Sequence, residues 1–184
     1  MRCVLVNAAR RCYVKSEGDM STFPQEIERV LRCALAPDTG SPSGLAWKRP
    51  LANRVKARGA AGTLGKDGYW SVQVKGKKLA AHRVLWWLLN GEIPSGLCID
   101  HIDGNRGNNR RDNLRLCTRT QNNWNSRKRA GRLPKGITVV GESYHAQVQA
   151  NGTRWRARSR NLDALTRAVQ VARAELHGGF ACHG

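Results

Sequence analysis

No stretch of the chain approaches the roughly 18 to 20 consecutive apolar residues that a membrane span requires. The longest candidate, Val84 to Leu89, is a third of that, so no membrane partner is expected. A secretory signal is missing as well. The apolar run Cys3 to Val6 is short and leads into Arg10 and Arg11 rather than into a cleavage site. The six cysteines (Cys3, Cys12, Cys33, Cys98, Cys117 and Cys182) include no C-x-x-C pair, which suggests neither a disulfide framework nor a zinc ribbon. These absences fit a reducing cytoplasm. No internal repeat is found.

Acidic residues are scarce. Only 13 Asp or Glu stand against 32 Lys or Arg in 184 residues, leaving a net charge of +19 and a pI near 10.9. Each Lys or Arg that neutralises a phosphate releases a condensed counterion, so a polyanion is the expected partner, with nucleic acid ahead of a membrane surface. Apolar residues make up 40% of the chain and include six Trp. That is too much for a disordered tail, and it allows modest cores in one to three small domains.

Residues 1–20 carry no clear periodicity, and Met20 follows Glu17-Gly18-Asp19, whose codons can hold a purine-rich ribosome-binding stretch. A start at Met20, with residues 1–20 as an untranslated extension, is one expectation. Pro24 to Leu35 reads as a short helix with Ile27, Val30, Leu31 and Ala34 on one stripe. Pro37 to Gly62 is rich in Pro, Gly, Ser and basic residues, with Trp47 as its one large apolar residue, and is expected to be irregular or loosely stranded. Tyr69 to Val74 alternates between two turn signals and continues toward Leu79, predicting a β-meander. Ala80 to Asn90 is a strongly apolar helix stopped by Gly91, and should be the most buried element.

Leu97 to His101 predicts a strand, and DGNRGNNRRDN from Asp103 to Asn113 is dense in residues that close turns through their own side chains. Leu114 to Cys117 predicts a second strand. Thr118 to Gln121 has capping-box spacing, so a helix should begin there and run through Trp124. Residues 126–135 are basic and punctuated by Gly and Pro, as a linker would be. Beyond it, His145 to Asn151 and Arg154 to Arg160 alternate around an Asn151-Gly152 turn. Asp163 to His177 follows as an amphipathic helix with Leu165, Ala168, Val169, Ala172 and Leu176 inward, stopped by Gly178.

This order gathers Asp100 and His101 at the end of one strand, Asn113 at the start of the next and Asn122 in the first turn of the following helix. Phosphodiester hydrolysis needs a water activated by a base and charge stabilisation on the phosphate and the departing 3′-oxygen. An imidazole, with an ordinary pKa of about 6.5, suits the first task. A hard cation with few protein oxygens, here from Asp100 and Asn122, suits the second.

The segment Ala81 to Asn125, with DHIDGNRGNNRRDNLR and TQNNWN at its centre, resembles the HNH endonucleases of the phage and intron-homing type, whose active site is a ββα-metal motif. The resemblance implies that Asp100 is the metal-binding acid and His101 the general base. Asn113 would be the middle Asn that pins the loop and helps orient the histidine, and Asn122 the helix position that is His in many members. One Mg²⁺ or Mn²⁺ per active site is implied. Upstream, GTLGKDGYWSVQVKGKKLAAHR resembles the β-meander that precedes the motif, with His82 and Arg83 as its "HR". Downstream, Lys135 to Leu176 is similar to the AP2-type DNA-binding domain. The expected fold class is α+β. Its parts are a helix and irregular segment at 21–60, an HNH domain at 61–125, the basic linker at 126–135, an AP2-like three-stranded sheet and helix at 136–178, and a tail at 179–184.

Blander readings compete at several points. Cys98 and His101 have C-x-x-H spacing with Cys117 nearby, but strand positions 98 and 101 point to opposite faces and no fourth zinc ligand is evident. The Trp86-Trp87 pair reads as core rather than as a stacking platform for bases. The run from Arg106 to Arg132 holds nine Lys or Arg and one acid. Beside a phosphate-cleaving motif it reads as a backbone-binding track, comprising Arg106, Arg110, Arg111, Arg115, Arg119, Arg127, Lys128 and Arg129, with Arg83 adjoining, while His82, at a helix start beside an apolar run, is as readily a packing residue as a phosphate contact. Arg154, Arg156, Arg158 and Arg160 share one strand face, and His145, Gln147 and Gln149 belong on the matching face of its neighbour. Arg and Gln read guanine and adenine edges bidentately, which points to major-groove recognition.

The expected activity is metal-dependent, site-specific cleavage of double-stranded DNA inside a bacterial or phage-infected cell, nicking as a monomer or cutting both strands as a homodimer. A non-catalytic sequence-specific DNA-binding regulator and an RNA-directed nuclease are the rivals.

Overall fold

Pro24, with its φ fixed near the helical value, stands directly before helix α1 (Gln25–Ala34). Its stripe is buried at Ile27, Leu31 and Ala34. The computed structural model describes residues 23–49, 57–126 and 132–183. The possible start at Met20 and the cations Arg127, Lys128 and Arg129 lie outside them.

Among the described residues the chain is a mixed α/β protein with four α-helices and small antiparallel sheets. Strand β1 (Leu35–Pro37) pairs with β2 (Leu45–Trp47), which bridges to Ala60. The stretch expected to be irregular is therefore partly stranded. The two strands are only three residues long, too short for an alternating pattern to be read. They exist because Leu35, Leu45 and Trp47 are buried, a tertiary cause.

The meander is β3 (Thr63–Leu64), β4 (Trp70–Val74) and β5 (Lys77–Ala80), in that order in the sheet. Val74 pairs with Lys77, and Lys75 and Gly76 both have positive φ, the backbone a two-residue hairpin turn requires. Helix α2 (Ala81–Asn90) follows, buried at Val84, Leu85 and Trp87, with Trp86 packed against the same core. Strands β6 (Leu97–His101) and β7 (Leu114–Thr118) form a hairpin around the Asn-rich loop, and α3 (Arg119–Asn125) follows. One apolar cluster joins α1, β1, β2, the meander and α2 to Ile99 and Leu114 of that hairpin. The N-terminal segment thus supports the hairpin directly.

The remaining strands, β8 (Ile137–Val140), β9 (Ser143–Ala150) and β10 (Thr153–Ser159), make a sheet in the order β10-β9-β8, packed on α4 (Leu162–His177). Ile137, Ala146, Val148, Leu165, Val169 and Ala172 form its separate core. No helix among the described residues is long and apolar enough to cross a membrane.

Candidate active site

The end of β6 presents neighbouring residues to opposite faces of the hairpin. Asp100 pairs across to Arg115 and His101 to Leu114, and both Asp100 and His101 are 5% exposed. On the histidine face, His101 Nε2 lies 3.0 Å from Asn109 Oδ1. Asn109 is fully buried and donates through Nδ2 to the Ser43 carbonyl at 2.9 Å. Ser43 is itself buried, its hydroxyl donating to the Ala61 carbonyl. A chain of hydrogen bonds therefore runs from the histidine into the N-terminal segment.

His82 packs edge-on to His101 with ring centroids 5.1 Å apart, and Tyr69 closes the group at 5.4 Å from His82 and 6.0 Å from His101. Burial lowers the His101 pKa from its ordinary value, against the opposing pull of the Asn109 hydrogen bond and the carboxylates of Asp103 and Asp100. Burial, then the neighbouring His101 and Arg83, push His82 down to about 3. Its Nδ1 is closed off and has no hydrogen-bond partner among the described residues. The neutral His82 ring walls the histidine pocket between Tyr69 and His101.

Asn113 holds the loop shut. Its Oδ1 accepts from the Asp103 amide at 3.0 Å, while its Nδ2 donates to Asp103 Oδ1 at 3.0 Å and to the Asn108 carbonyl at 2.8 Å. Asp103 also accepts from the Asn105 amide at 2.7 Å and from Asn108 Nδ2 at 2.7 Å. Desolvation resists its ionisation, but these donors and the nearby His101 prevail and lower its pKa. The side-chain partner of the histidine is Asn109, while the Asn113 amide donates to Asp103 and Asn108.

On the other face, Arg115 Nε donates to Asp100 Oδ2 at 2.9 Å and its terminal nitrogen lies 2.8 Å from the same oxygen. Asn125 Nδ2 reaches Asp100 Oδ1 at 3.0 Å, Oδ2 at 2.9 Å and the His101 carbonyl at 2.8 Å. Helix α3 delivers Asn125 because Thr118 and Gln121 form the reciprocal capping box that starts it. Asn122 lies one turn earlier, its Nδ2 3.8 Å from Cys98 Sγ. The sequence order points to Asn122 beside the acid, and the structure adds Asn125. Spacing of i, i+3 puts both on one helix face, so periodicity alone does not choose between them.

Asp100 and Asn122 offer a carboxylate and an amide oxygen, a donor set that suits a hard cation keeping several waters. Arg115 and Asn125 compete for that carboxylate. Among the described residues no group of three or more His, Cys, Asp or Glu is placed to hold a metal. Cys98 and Cys117 face each other, with His101 on the opposite side of the hairpin.

Arg115, a cation of the same basic run, is held by several groups of the protein itself. Its guanidinium is engaged by Asp100, donates to the Gly179 carbonyl at 2.6 Å and stacks over Phe180 at 3.8 Å. Arg106 donates to the Asp67 carbonyl at 3.3 Å and lies over Tyr69, yet stays exposed, as do Arg111 and Arg119. Arg110 pairs with Asp112 at 3.2 Å with both side chains largely solvated, a contact of small energy. Arg83 is half-buried.

In the C-terminal sheet, Arg154, Arg156 and Arg158 pair across to Gln149, Gln147 and His145. Arg154, Arg156, Arg158, Arg160, Gln147 and Gln149 are exposed, whereas Trp155 and Ala157 pack toward α4. The end of α4 reaches α3: Trp124 stacks on His177 at 4.5 Å with rings 2° from parallel. Lys135 Nζ donates to the carbonyls of Trp124 and Ser126 at 2.7 Å each and of Cys182 at 3.3 Å.

Residues 79–124 match the family model described as HNH endonuclease. The chain is 38% identical over 104 residues to Protein 3.8 of Escherichia phage T7, covering 54% of this chain and 86% of that one. It is 37% identical over 123 residues to an uncharacterized HNH endonuclease of Acanthamoeba polyphaga mimivirus, covering 64% of this chain and 63% of the relative. No solved structure matches. The matched segment spans α2, the hairpin and all but the last residue of α3, so residues 79–124 are an HNH endonuclease domain.

Proposed function

We propose that the chain is a metal-dependent, site-specific DNA endonuclease of the homing type. In this reading β6, β7 and α3 form a ββα-metal unit, and residues 136–178 are an AP2-like module that reads double-stranded DNA. The observation that carries it is the placement of buried His101 beside buried Asp100 at the end of a hairpin backed by the helix of Asn122 and Asn125.

His101 takes the proton of the attacking water. Burial keeps its ring neutral at neutral pH, the form that can accept that proton, and Asn109 fixes the ring through Nε2. Asn113 and Asp103 hold the loop in the shape that delivers Asn109. Asp100 and Asn122 are the residues that would hold Mg²⁺ or Mn²⁺, which when bound supplies positive charge for the phosphate and the departing 3′-oxygen. Arg106, Arg111 and Arg119 lie exposed on the same unit, where they can follow a phosphate backbone. The arginine and glutamine face of β9 and β10 supports base reading in the major groove.

Plasmid incubated with the full chain and Mg²⁺ or Mn²⁺ should acquire breaks at recurring positions, and EDTA should stop them. A second reading, a non-catalytic sequence-specific DNA-binding regulator, is favoured by one observation: Arg115 and Asn125 occupy the carboxylate that a cation would need. Specific DNA binding without breaks in any divalent metal is its signature.

A further inference from the structure

Cys98 and Cys117 are directly opposed on β6 and β7, and their sulfurs are 3.4 Å apart. Residues opposed on antiparallel strands have Cα atoms about 4.5 to 5.5 Å apart, within the span of about 4.4 to 6.8 Å that a disulfide bridges without moving the backbone. Both thiols are free. Cys98 is half-buried, while Cys117, beside it on the neighbouring strand, is 2% exposed. The pair closes off the whole Asn-rich loop, since residues 99 to 116 lie between the two sulfurs and carry His101, Asp103, Asn109 and Asn113.

We propose that Cys98 and Cys117 are a redox-modification site, converted by a peroxide into a reversible disulfide that clamps the catalytic hairpin. The Cys98 sulfur attacks one peroxide oxygen, the O–O bond breaks, and the displaced hydroxide takes the Cys98 proton as water, leaving a sulfenic acid. The Cys117 sulfur then attacks the Cys98 sulfur. The S–O bond breaks, and the second hydroxide leaves with the Cys117 proton as a second water. Two thiols lose two electrons and the peroxide gains them. A dithiol reductant reverses the result.

The bridge removes chain entropy from the unfolded state and restrains the loop in the folded one. The inference goes beyond the proposed cleavage and is independent of it, because its chemistry needs neither DNA nor metal. The reduced full-length protein is treated with hydrogen peroxide, digested without reductant and read by mass spectrometry. A linked Cys98–Cys117 peptide pair should appear with a loss of about 2 Da, and dithiothreitol should abolish it. The thermal midpoint of the oxidised form should rise by about 5 to 10 °C and return on reduction. In Cys98→Ser neither the link nor the shift should occur. If that variant fails to fold, the peptide map of the unsubstituted chain decides alone. Cys98 and Cys117 recovered as separate, unlinked or over-oxidised peptides, or linked to other cysteines, overturn the proposal.

Discussion

His101 Nε2 and Asn109 Oδ1 lie 3.0 Å apart, and Asn109 is tied in turn to the Ser43 carbonyl. The histidine's orientation therefore depends on a residue eight positions away and on a segment far upstream. Asn109→Ala should lower the cleavage rate about 10- to 100-fold while DNA affinity changes less than about twofold, because orienting a base acts on the transition state. It should also destabilise the fold by about 1 to 3 kcal/mol by leaving buried groups unpaired. Single-turnover nicking beside a binding titration separates the two effects. An unchanged rate would remove Asn109 from the site.

Much of this arrangement was legible in the sequence. The alternation of β4, the β6–loop–β7 order, the capping box of α3 and the Asn151-Gly152 turn each depend on local chemistry, and each element lies within a residue or two of where the pattern puts it. What escaped is set by tertiary contact. Nothing near Asn109 says that its amide bridges His101 to Ser43, since the loop offers several asparagines and burial selects one. Asn125 was passed over for Asn122 because the two share a helix face. Arg115 looked like any other cation of a basic run until strand register set it opposite Asp100.

The Asp100–Arg115 pair yields a second expectation. With Asp100 5% and Arg115 20% exposed in their side chains, removing the cation leaves a buried carboxylate compensated, among the described residues, by Asn125. Arg115→Ala should cost about 3 kcal/mol in stability. If Asp100 holds the metal, Mn²⁺ or Mg²⁺ should raise the thermal midpoint of this variant more than that of the unsubstituted protein, because the cation takes the place the guanidinium vacates. Equal metal responses would argue that Asp100 is a structural acid.

Acid stability follows from His82. Its pKa is about 3 in the folded protein against an ordinary 6.5, so the unfolded chain binds its proton first as pH falls. The stability contributed by the neutral ring is complete above about pH 6.5 and declines toward pH 3, by at most about 1.4 kcal/mol per pH unit. Buried His101, also lowered, adds in the same direction. His82→Gln should flatten the fall in thermal midpoint between pH 7 and 4.5. An unaltered slope would mean that the His82 ring is protonated in the folded state.

The outward face of β10 supplies a test of target reading. Arg156 is exposed and opposite Gln147. If it reads a base edge, Arg156→Ala should relax preference at one target position by about 1 to 3 kcal/mol and leave the others intact. If all sequences weaken alike, with a shallower salt dependence, the sheet holds phosphates and the target is read elsewhere.

The account turns on His101, and the direct measurement is plasmid cleavage by His101→Ala in saturating Mg²⁺ or Mn²⁺, with EDTA controls and a parallel DNA-binding titration. Cleavage should fall by at least about 100-fold with affinity within about twofold, since the base contributes to the transition state and little to ground-state binding. Metal-dependent cleavage by the variant at the unsubstituted rate would contradict the assignment of His101 as the base and, with it, the proposed mechanism.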